Sequence, residues 1–489
     1  MALGERTLLD VVDEVVATDG DREAIVEPRP DGSVRRITFA ELADEADAVA
    51  QGLQVRGVRP GDVVAIALPS GIEYAIAYHG AIRAGAVATG INPRLGRTEI
   101  DHIRARCEPR IVVDGDLPRT RTGDGRARRA DVSPTDPLAI VWTGGTTGLP
   151  KGAWFDHVCL EAMTLGAAPL SAPGDRRLSP LPFSHVGFMT RAWDEHVHRI
   201  TTVVVPAPWT PTAAIELIGA ERVTVAQGVP TQYRMMLDHP AIASLDASSL
   251  RIAGIGAARI PPELVAEMGD RLGCPVVVRY ASTESCIATG TRLDDADEVV
   301  CTTVGRPNGD VELRIVDGDG HDQPIGEVGP VWLRSRAMMR GYWRDPERTA
   351  EAIDADGWLH TGDLGRVGRD GNLRLAGRAT EMYVRGGYNV YPIEVEHCLG
   401  DHPAIAAAAV VGATVADPLG EIGVAVVVLR PGTVVTLDDV RAFVKERLAD
   451  YKAPDALVAV GELPLTSIGK VDKLALQPLA DEEASRWTR

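Results

Sequence analysis

Residues 143–152 read TGGTTGLPKG and follow an apolar stretch at 138–142. Gly144, Gly145 and Gly148 let backbone N–H groups converge with no Cβ in the way. Thr143, Thr146 and Thr147 add hydroxyls, and Lys151 adds one ammonium. A loop of this makeup can wrap the β- and γ-phosphates of ATP through amides, hydroxyls and a cation. A glycine–threonine hairpin that binds nothing is the plainer alternative. Lysine usage bears on the choice. Of 51 basic residues only 151, 445, 452, 470 and 473 are lysine, in a chain that otherwise uses arginine, as a GC-rich coding bias would produce. A compact ammonium in such a chain suggests a place where the planar guanidinium fork does not serve. Lys151 and Lys470 both stand in glycine-containing segments, whereas Lys473 is expected to be an exposed tail lysine.

Other arrangements fall short. Residues 317–322 (DGDGHD) open like a calcium loop, but its twelfth position holds Val328 where a bidentate Glu belongs, so a hairpin turn is expected. His196 and His198 are spaced for a metal on a strand, yet no acidic or cysteine partner accompanies them, and a surface pair is expected. Gly254 and Gly256 lack the third glycine of a dinucleotide fingerprint, Arg259 standing there, and Gly469–Lys470 has Pro464 where a P-loop has its upstream glycine. The basic run at 119–129 (RTRTGDGRARR) is interleaved with Gly and Thr and is expected to be a solvated loop.

Segments in chain order resemble the motifs of the adenylate-forming superfamily, which includes acyl-CoA synthetases, luciferases and peptide-synthetase adenylation domains. Residues 143–152 resemble its phosphate loop, with Gly144 where Ser is common. Residues 280–285 (YASTES) resemble its Tyr-x-x-Thr-Glu motif. Residues 254–258 resemble the small-residue turn beside adenine and the acyl pocket, with Arg259 in place of the usual Pro. Residues 357–363 (GWLHTGD) resemble the ribose motif. Residues 377–396 (GRATEMYVRGGYNVYPIEVE) resemble the hinge and the start of the C-terminal domain, and 464–470 (PLTSIGK) the motif with the adenylation lysine.

The resemblance implies that Thr143, Gly145, Thr146, Thr147, Lys151, Gly256, Ala257, Ala258, Tyr280, Ala281, Ser282, Thr283, Asp363, Arg378 and Lys470 surround ATP and AMP. Within that set Tyr280 lies beside adenine and Thr283 touches the α-phosphate. Glu284 holds magnesium, with Thr146 at the magnesium-bound phosphates. Asp363 accepts from both ribose hydroxyls, and Arg378 reaches ribose or phosphate. Thr283, Glu284, His185 and Lys470 are the implied catalytic set. His185, Gly187, Gln227, Gly228, Gly254 and Gly256 line the acyl pocket; Gly386, Gly387 and Tyr388 meet coenzyme A. Rotation occurs at Thr380, a place where many relatives carry Asp or Lys, followed here by Glu381.

The implied activity is AMP-forming acyl-CoA synthesis with ATP, Mg2+ and coenzyme A. A carboxylate attacks the α-phosphorus, pyrophosphate leaves, the C-terminal domain rotates, and a thiol expels AMP. Residues 181–187, 226–230 and 254–258 are small or apolar and carry no Asp to meet an ammonium, which points to a fatty, aryl or bulky alicyclic or polycyclic acid. Phe155–Asp156 is followed by His157–Val158, so the Phe-Asp-x-Ser signature of an amino-acid pocket is absent. A stand-alone enzyme that loads a carrier protein, and a nucleotide-binding scaffold without turnover, are the alternatives.

These residues require an α/β framework. Apolar runs at 63–68, 201–205, 223–226, 250–255 and 275–279 alternate with helical segments such as 71–83 and 211–220, the pattern of parallel-rich sheets flanked by helices. A small β-rich subdomain is expected after about residue 300, then an α+β lid, with an adenylation domain over 1–378 and the lid over 379–489. The N-terminal segment reads as an amphipathic helix with no h-region. No apolar run approaches the roughly 20 residues of a membrane span. The net charge of -18 argues against a nucleic-acid partner. Six scattered cysteines without a CxxC pair suit a reducing compartment, the cytoplasm. The partner is a small carboxylic acid; a homodimer is compatible with the chain.

Overall fold

Runs of branched residues become buried strands. The five expected strands are found as Val63–Ile66, Thr201–Val204, Val225–Gly228, Ile252–Gly256 and Val276–Ser282, each within a few residues of its expected bounds. The two helical segments are Ile72–Arg83 and Pro211–Ala220; Thr210 caps the latter by accepting from the Ala213 N–H, with Pro211 in its first turn. The computed structural model describes residues 4–121, 129–143, 149–256, 260–386, 388–416, 419–466 and 470–487. They fall into two compact units, Met1–Leu313 with Leu333–Leu359, and Arg314–Trp332 with His360–Arg489.

The first unit holds two large sheets. In the nine-stranded sheet, Val276–Ser282, Ile252–Gly256, Val225–Gly228, Arg176–Ser179, Thr201–Val204 and Glu23–Pro28 run parallel in that order. Its flanks are antiparallel: Cys286–Gly290 and Arg306–Pro307 on one side, Val34–Thr38 on the other. The six-stranded sheet runs Gly341–Tyr342, Lys151–Asp156, Pro137–Thr143, Val87–Gly90, Val63–Ile66, Ile111–Val113. One apolar core takes side chains from both, Ile25 and Ile37 from the first and Val64, Ile66 and Ala88 from the second, with Leu53, Tyr74, Ile76 and Tyr78 from the helices Phe39–Val55 and Ile72–Arg83. Each large side chain so buried contributes about 1.5–3 kcal/mol.

The second unit contains most of a four-stranded sheet, Glu312–Ile315, Gly329–Arg334, Leu359–Val367 and Leu373–Arg378, and a three-stranded sheet, Ile405–Thr414, Glu421–Leu429 and Ala456–Val460. The middle strand of the latter is covered on both faces. Ala425 and Val427 pack with Val395, Val440 and Val444 of the helices Pro392–Gly400 and Leu437–Lys445; Val424 and Val426 pack with Leu476 and Ala480 of Lys473–Arg486. Of the β-rich segment after residue 313, Arg314–Trp332 groups with the C-terminal part, whereas Leu333–Leu359 groups with the first unit. No helix among the described residues is long and apolar enough to cross a membrane.

Two expectations are corrected, those for the histidine pair and for Lys473. His196 lies on the helix Ala192–Val197, not on a strand, and it is buried, with its ring 5.1 Å from those of His79 and Phe39. His198 faces Asp194 at 3.1 Å, so the two histidines do not form a surface pair. The described flanks of the basic run are irregular and exposed, as expected of a solvated loop, and they are also paired: Arg119 with Glu45 and Glu73, Arg121 with Asp44 and Glu45, and Arg129 with Asp10 and Asp13. Lys473 is no exposed tail lysine, because its ammonium sits between Glu381 and Glu396. The hairpin turn at 317–322 is present: Asp317 takes the N–H groups of Asp319 and His321 on one carboxylate oxygen, each at 2.9 Å.

Candidate active site

Parallel strands end on the same side, and register fixes which residues stand there. Gln227 is opposite Gly254, Gly228 opposite Ile255, and Gly256 opposite Arg279. The carboxyl ends of three adjacent strands thus present Gln227 and Gly228, then Gly256, then Tyr280, Ala281 and Ser282, the edge where open α/β sheets place ligands. Gly256 is required by close approach, since a Cβ there would lie 2.5 Å from the Arg279 carbonyl oxygen. At Gly254 a Cβ would lie 2.9 Å from both methyls of Leu170, and the carbonyl of Gly254 accepts the Tyr233 hydroxyl at 3.1 Å.

Thr283 and Glu284 occupy the tip of the hairpin between Val276–Ser282 and Cys286–Gly290. Ser282 and Ser285 lock that tip: the Ser285 N–H donates to the Ser282 hydroxyl at 3.0 Å, and the Ser282 N–H to the Ser285 hydroxyl at 3.2 Å. Cys286 takes a positive φ of 54° to complete the turn. The Met339 N–H holds the Glu284 carbonyl at 2.8 Å, and the Tyr342 hydroxyl donates to Glu284 Oε1 at 3.0 Å. Burial, and then the Glu284 charge, push the Tyr342 phenol far above its usual range, so it stays a donor.

Thr143 and Lys151 face each other across the hairpin of Pro137–Thr143 and Lys151–Asp156. Lys151 Nζ lies 5.3 Å from the ring centroid of Tyr342, within cation–π range. Lys151, Tyr342 and Glu284 therefore form one chain of contacts. Sequence reasoning missed Tyr342. Its only signal was an aromatic pair, Tyr342–Trp343, in an otherwise charged segment before Pro346. Gly145, Thr146, Thr147, Ala257 and Ala258 lie outside the described residues.

His185 caps the short helix Val186–Met189, its Nδ1 accepting the Gly187 N–H at 3.1 Å. That hydrogen bond orients the ring. Gln227 and Gly228 border a cavity lined by Leu178, Pro180, Trp209, Ala226, Tyr233 and Met236, with no charged side chain on its wall.

In the second unit, Asp363 and Arg378 are cross-strand partners, and Arg378 Nε lies 3.0 Å from Asp363 Oδ1. Thr380 is exposed in the turn that follows, where the Arg378 carbonyl accepts the N–H groups of Glu381 and Met382, each at 3.1 Å. Gly386 has φ +57° and donates to the Leu419 carbonyl; Tyr388 stacks on Tyr451 at 4.5 Å; Gly387 lies outside the described residues. Lys470 stands beside the bridge between Leu465 and Val471, its N–H on the Thr466 hydroxyl at 3.2 Å and its carbonyl accepting the Thr466 N–H at 2.7 Å.

Residues 12–343 match the family model of the AMP-binding enzyme, and 394–470 match that of its C-terminal domain. The chain belongs to the AMP-binding enzyme family. It is 36% identical to the 3-(7a-methyl-1,5-dioxo-octahydro-1H-inden-4-yl)propanoyl:CoA ligase of Mycobacterium tuberculosis, over 97% of this chain and 99% of that one. It is 34% identical to a feruloyl-CoA synthase of an Amycolatopsis species, over 89% of this chain and 92% of that one. Among solved structures, ATP-bound MatB of Rhodopseudomonas palustris aligns with a TM-score of 0.88 and 27% identity, covering 98% of this chain and 100% of that one. The family member described here is an AMP-forming acyl-CoA synthetase that joins a carboxylate to coenzyme A through an acyl-adenylate, using ATP and Mg2+. The donor types fit those groups: the Lys151 ammonium is of a kind that suits phosphate, and the Glu284 carboxylate, which takes the Tyr342 hydroxyl on Oε1, is of a kind that suits a hard cation.

Proposed function

We propose that the acid is apolar and carries no amino group, and that a bulky alicyclic or aryl acid is preferred. The observation that carries this is the uncharged cavity beside Gln227 and Gly228, walled by Leu178, Trp209, Tyr233 and Met236. Its lining offers no carboxylate to an ammonium, and the preference for a ring comes from the relatives. Relatives named for a methyl-dioxo-octahydroindenyl propanoyl group and for a feruloyl group support the same class.

In this reading Thr143, Lys151 and the loop between them hold the β- and γ-phosphates, Tyr280 lies beside adenine, and Thr283 meets the α-phosphate. Glu284 takes magnesium, while Asp363 and Arg378 take ribose. Lys470 neutralises the meeting of carboxylate and α-phosphate, two anions that otherwise repel. Gly386 and Tyr388 border the pantetheine path. The working domains part between 378 and 379, with Thr380 as pivot. That the turn at Thr380 is exposed and flanked by well-bonded residues supports this assignment. Six cysteines without a disulfide among them support a cytoplasmic address, and the charge of -18 supports the absence of a nucleic-acid partner. Self-association as a homodimer is checked by light scattering.

Pyrophosphate release over a panel of fatty, aryl, alicyclic and amino acids tests the substrate class. Ring-bearing acids should give the highest kcat/KM; an amino acid as best substrate would overturn the assignment.

A further inference from the structure

The two groups that handle the magnesium triphosphate in this reading belong to different sheets. Lys151 opens the strand Lys151–Asp156 of the six-stranded sheet, and Glu284 tips a hairpin of the nine-stranded sheet. Their separation is not set by a shared ladder. One short strand, Gly341–Tyr342, reaches both. Its backbone pairs with the lysine strand, Tyr342 opposite Ala153 and Gly341 opposite Trp154. Its side chain crosses to the other sheet, the Tyr342 hydroxyl donating to Glu284 Oε1 at 3.0 Å while its ring stands 5.3 Å from Lys151 Nζ.

The strut is itself braced. The Tyr342 N–H donates to the Thr349 hydroxyl at 2.9 Å, and the Thr349 hydroxyl donates to the Asp345 carbonyl at 2.7 Å. Gly341 has φ +146°, and a Cβ there would lie 2.7 Å from Thr349 Cγ2, so only glycine lets the helix Pro346–Ala352 close on the strand. Three residues before Tyr342, the Met339 N–H fixes the Glu284 backbone as well. Glu284 is thus held at both its main chain and its carboxylate by residues 339–342.

We propose that Tyr342 is a positioning residue that couples the two sheets across the nucleotide site, aiming one oxygen of Glu284 at magnesium and setting the spacing between that carboxylate and Lys151. The inference rests on the reading of Glu284 as the magnesium carboxylate and of Lys151 as a phosphate ligand. The hydroxyl acts on the metal side and the ring on the lysine side, so the two contributions separate. Partners that orient a ligating carboxylate typically govern metal affinity by roughly 10–100-fold.

The test is calorimetric binding of a non-hydrolysable ATP analogue to the full chain, titrated over Mg2+ and repeated in EDTA. Tyr342→Phe keeps the ring and should raise the Mg2+ concentration needed for tight binding by about tenfold or more, with binding in EDTA unchanged. Tyr342→Leu should weaken binding in EDTA too, since the face toward Lys151 is lost. Glu284→Gln should abolish the Mg2+ dependence. Wild-type Mg2+ dependence in Tyr342→Phe, with Glu284→Gln impaired, would overturn the coupling alone. Unchanged Mg2+ dependence in Glu284→Gln would overturn the reading beneath it and the proposal together. Equal weakening of Tyr342→Phe with and without Mg2+, with a lowered melting temperature, would reduce Tyr342 to a packing residue and likewise overturn the proposal.

Discussion

Lys473 Nζ lies 2.6 Å from Glu381 Oε2, a residue beside the proposed pivot, and 2.8 Å from Glu396 Oε1. Glu396 also takes the Val410 N–H at 2.8 Å, so one ammonium ties the segment after Thr380, the helix Pro392–Gly400 and the central sheet to the helix that follows Lys470. Burial opposes the Lys473 charge, but Glu396 and Glu381 outweigh it and raise the pKa above the ordinary 10.5. Stability from this group is complete below pH 10.5 and is lost as pH rises through the raised folded value. Lys473→Met should destabilise the protein by on the order of 2 kcal/mol, between an exposed and a fully buried pair. Urea unfolding at pH 7 and above pH 10.5 checks this: the wild type should lose stability over that interval and the variant should lose less.

Asp194 makes a second prediction. Its carboxylate is fully buried and meets Arg191 at 2.7 Å, Arg177 at 2.9 Å and His198 at 3.1 Å. Burial works against the charge, yet Arg191 and Arg177 hold the carboxyl well below its ordinary 3.8. Its contribution is present above 3.8 and disappears as pH falls below that value toward the folded one. Asp194→Asn takes the nearest carboxylate from two buried guanidinium groups and should cost about 3–5 kcal/mol. Melting curves at neutral pH should show the drop, and the variant should have a shallower acid limb than the wild type.

Much of the fold was legible because its signals are local. Short β-branched runs such as 201–205 read as buried strands, and Thr210–Pro211 marks a helix start by capping chemistry. The site was legible where glycine is forced, as at Gly256, whose strand partner leaves no room for a side chain. What escaped was set by distant pairing. His196 was expected at the surface because the sequence does not show that Phe39 and His79 cover it. Tyr342 and Lys473 gain their meaning from Glu284 and Glu381, 58 and 92 residues away.

Rotation at Thr380 predicts unequal damage. The Ala379 N–H is held by the Gly362 carbonyl at 2.9 Å and Glu381 by Lys473, which leaves few free dihedrals between them. Thr380→Pro fixes φ near -65° and disfavours the helical region at Ala379. Thioester formation from pre-made adenylate should slow by at least about tenfold more than adenylation, because the hinge gates the second step. Stopped-flow measurement of each half-reaction checks it, and equal loss in both would remove Thr380 as the pivot.

Lys470 is expected to serve adenylation and not thioester formation. An ammonium is needed when a carboxylate approaches the α-phosphate, and no such charge is needed when a thiol meets a neutral carbonyl. The decisive measurement takes Lys470→Ala through the two half-reactions separately, ATP-dependent adenylate formation and acyl transfer from synthetic acyl-adenylate to coenzyme A. The first should fall by roughly 10²–10³-fold or more, and the second should keep a near wild-type rate. Undiminished adenylation, or equal loss in both steps, would contradict that role.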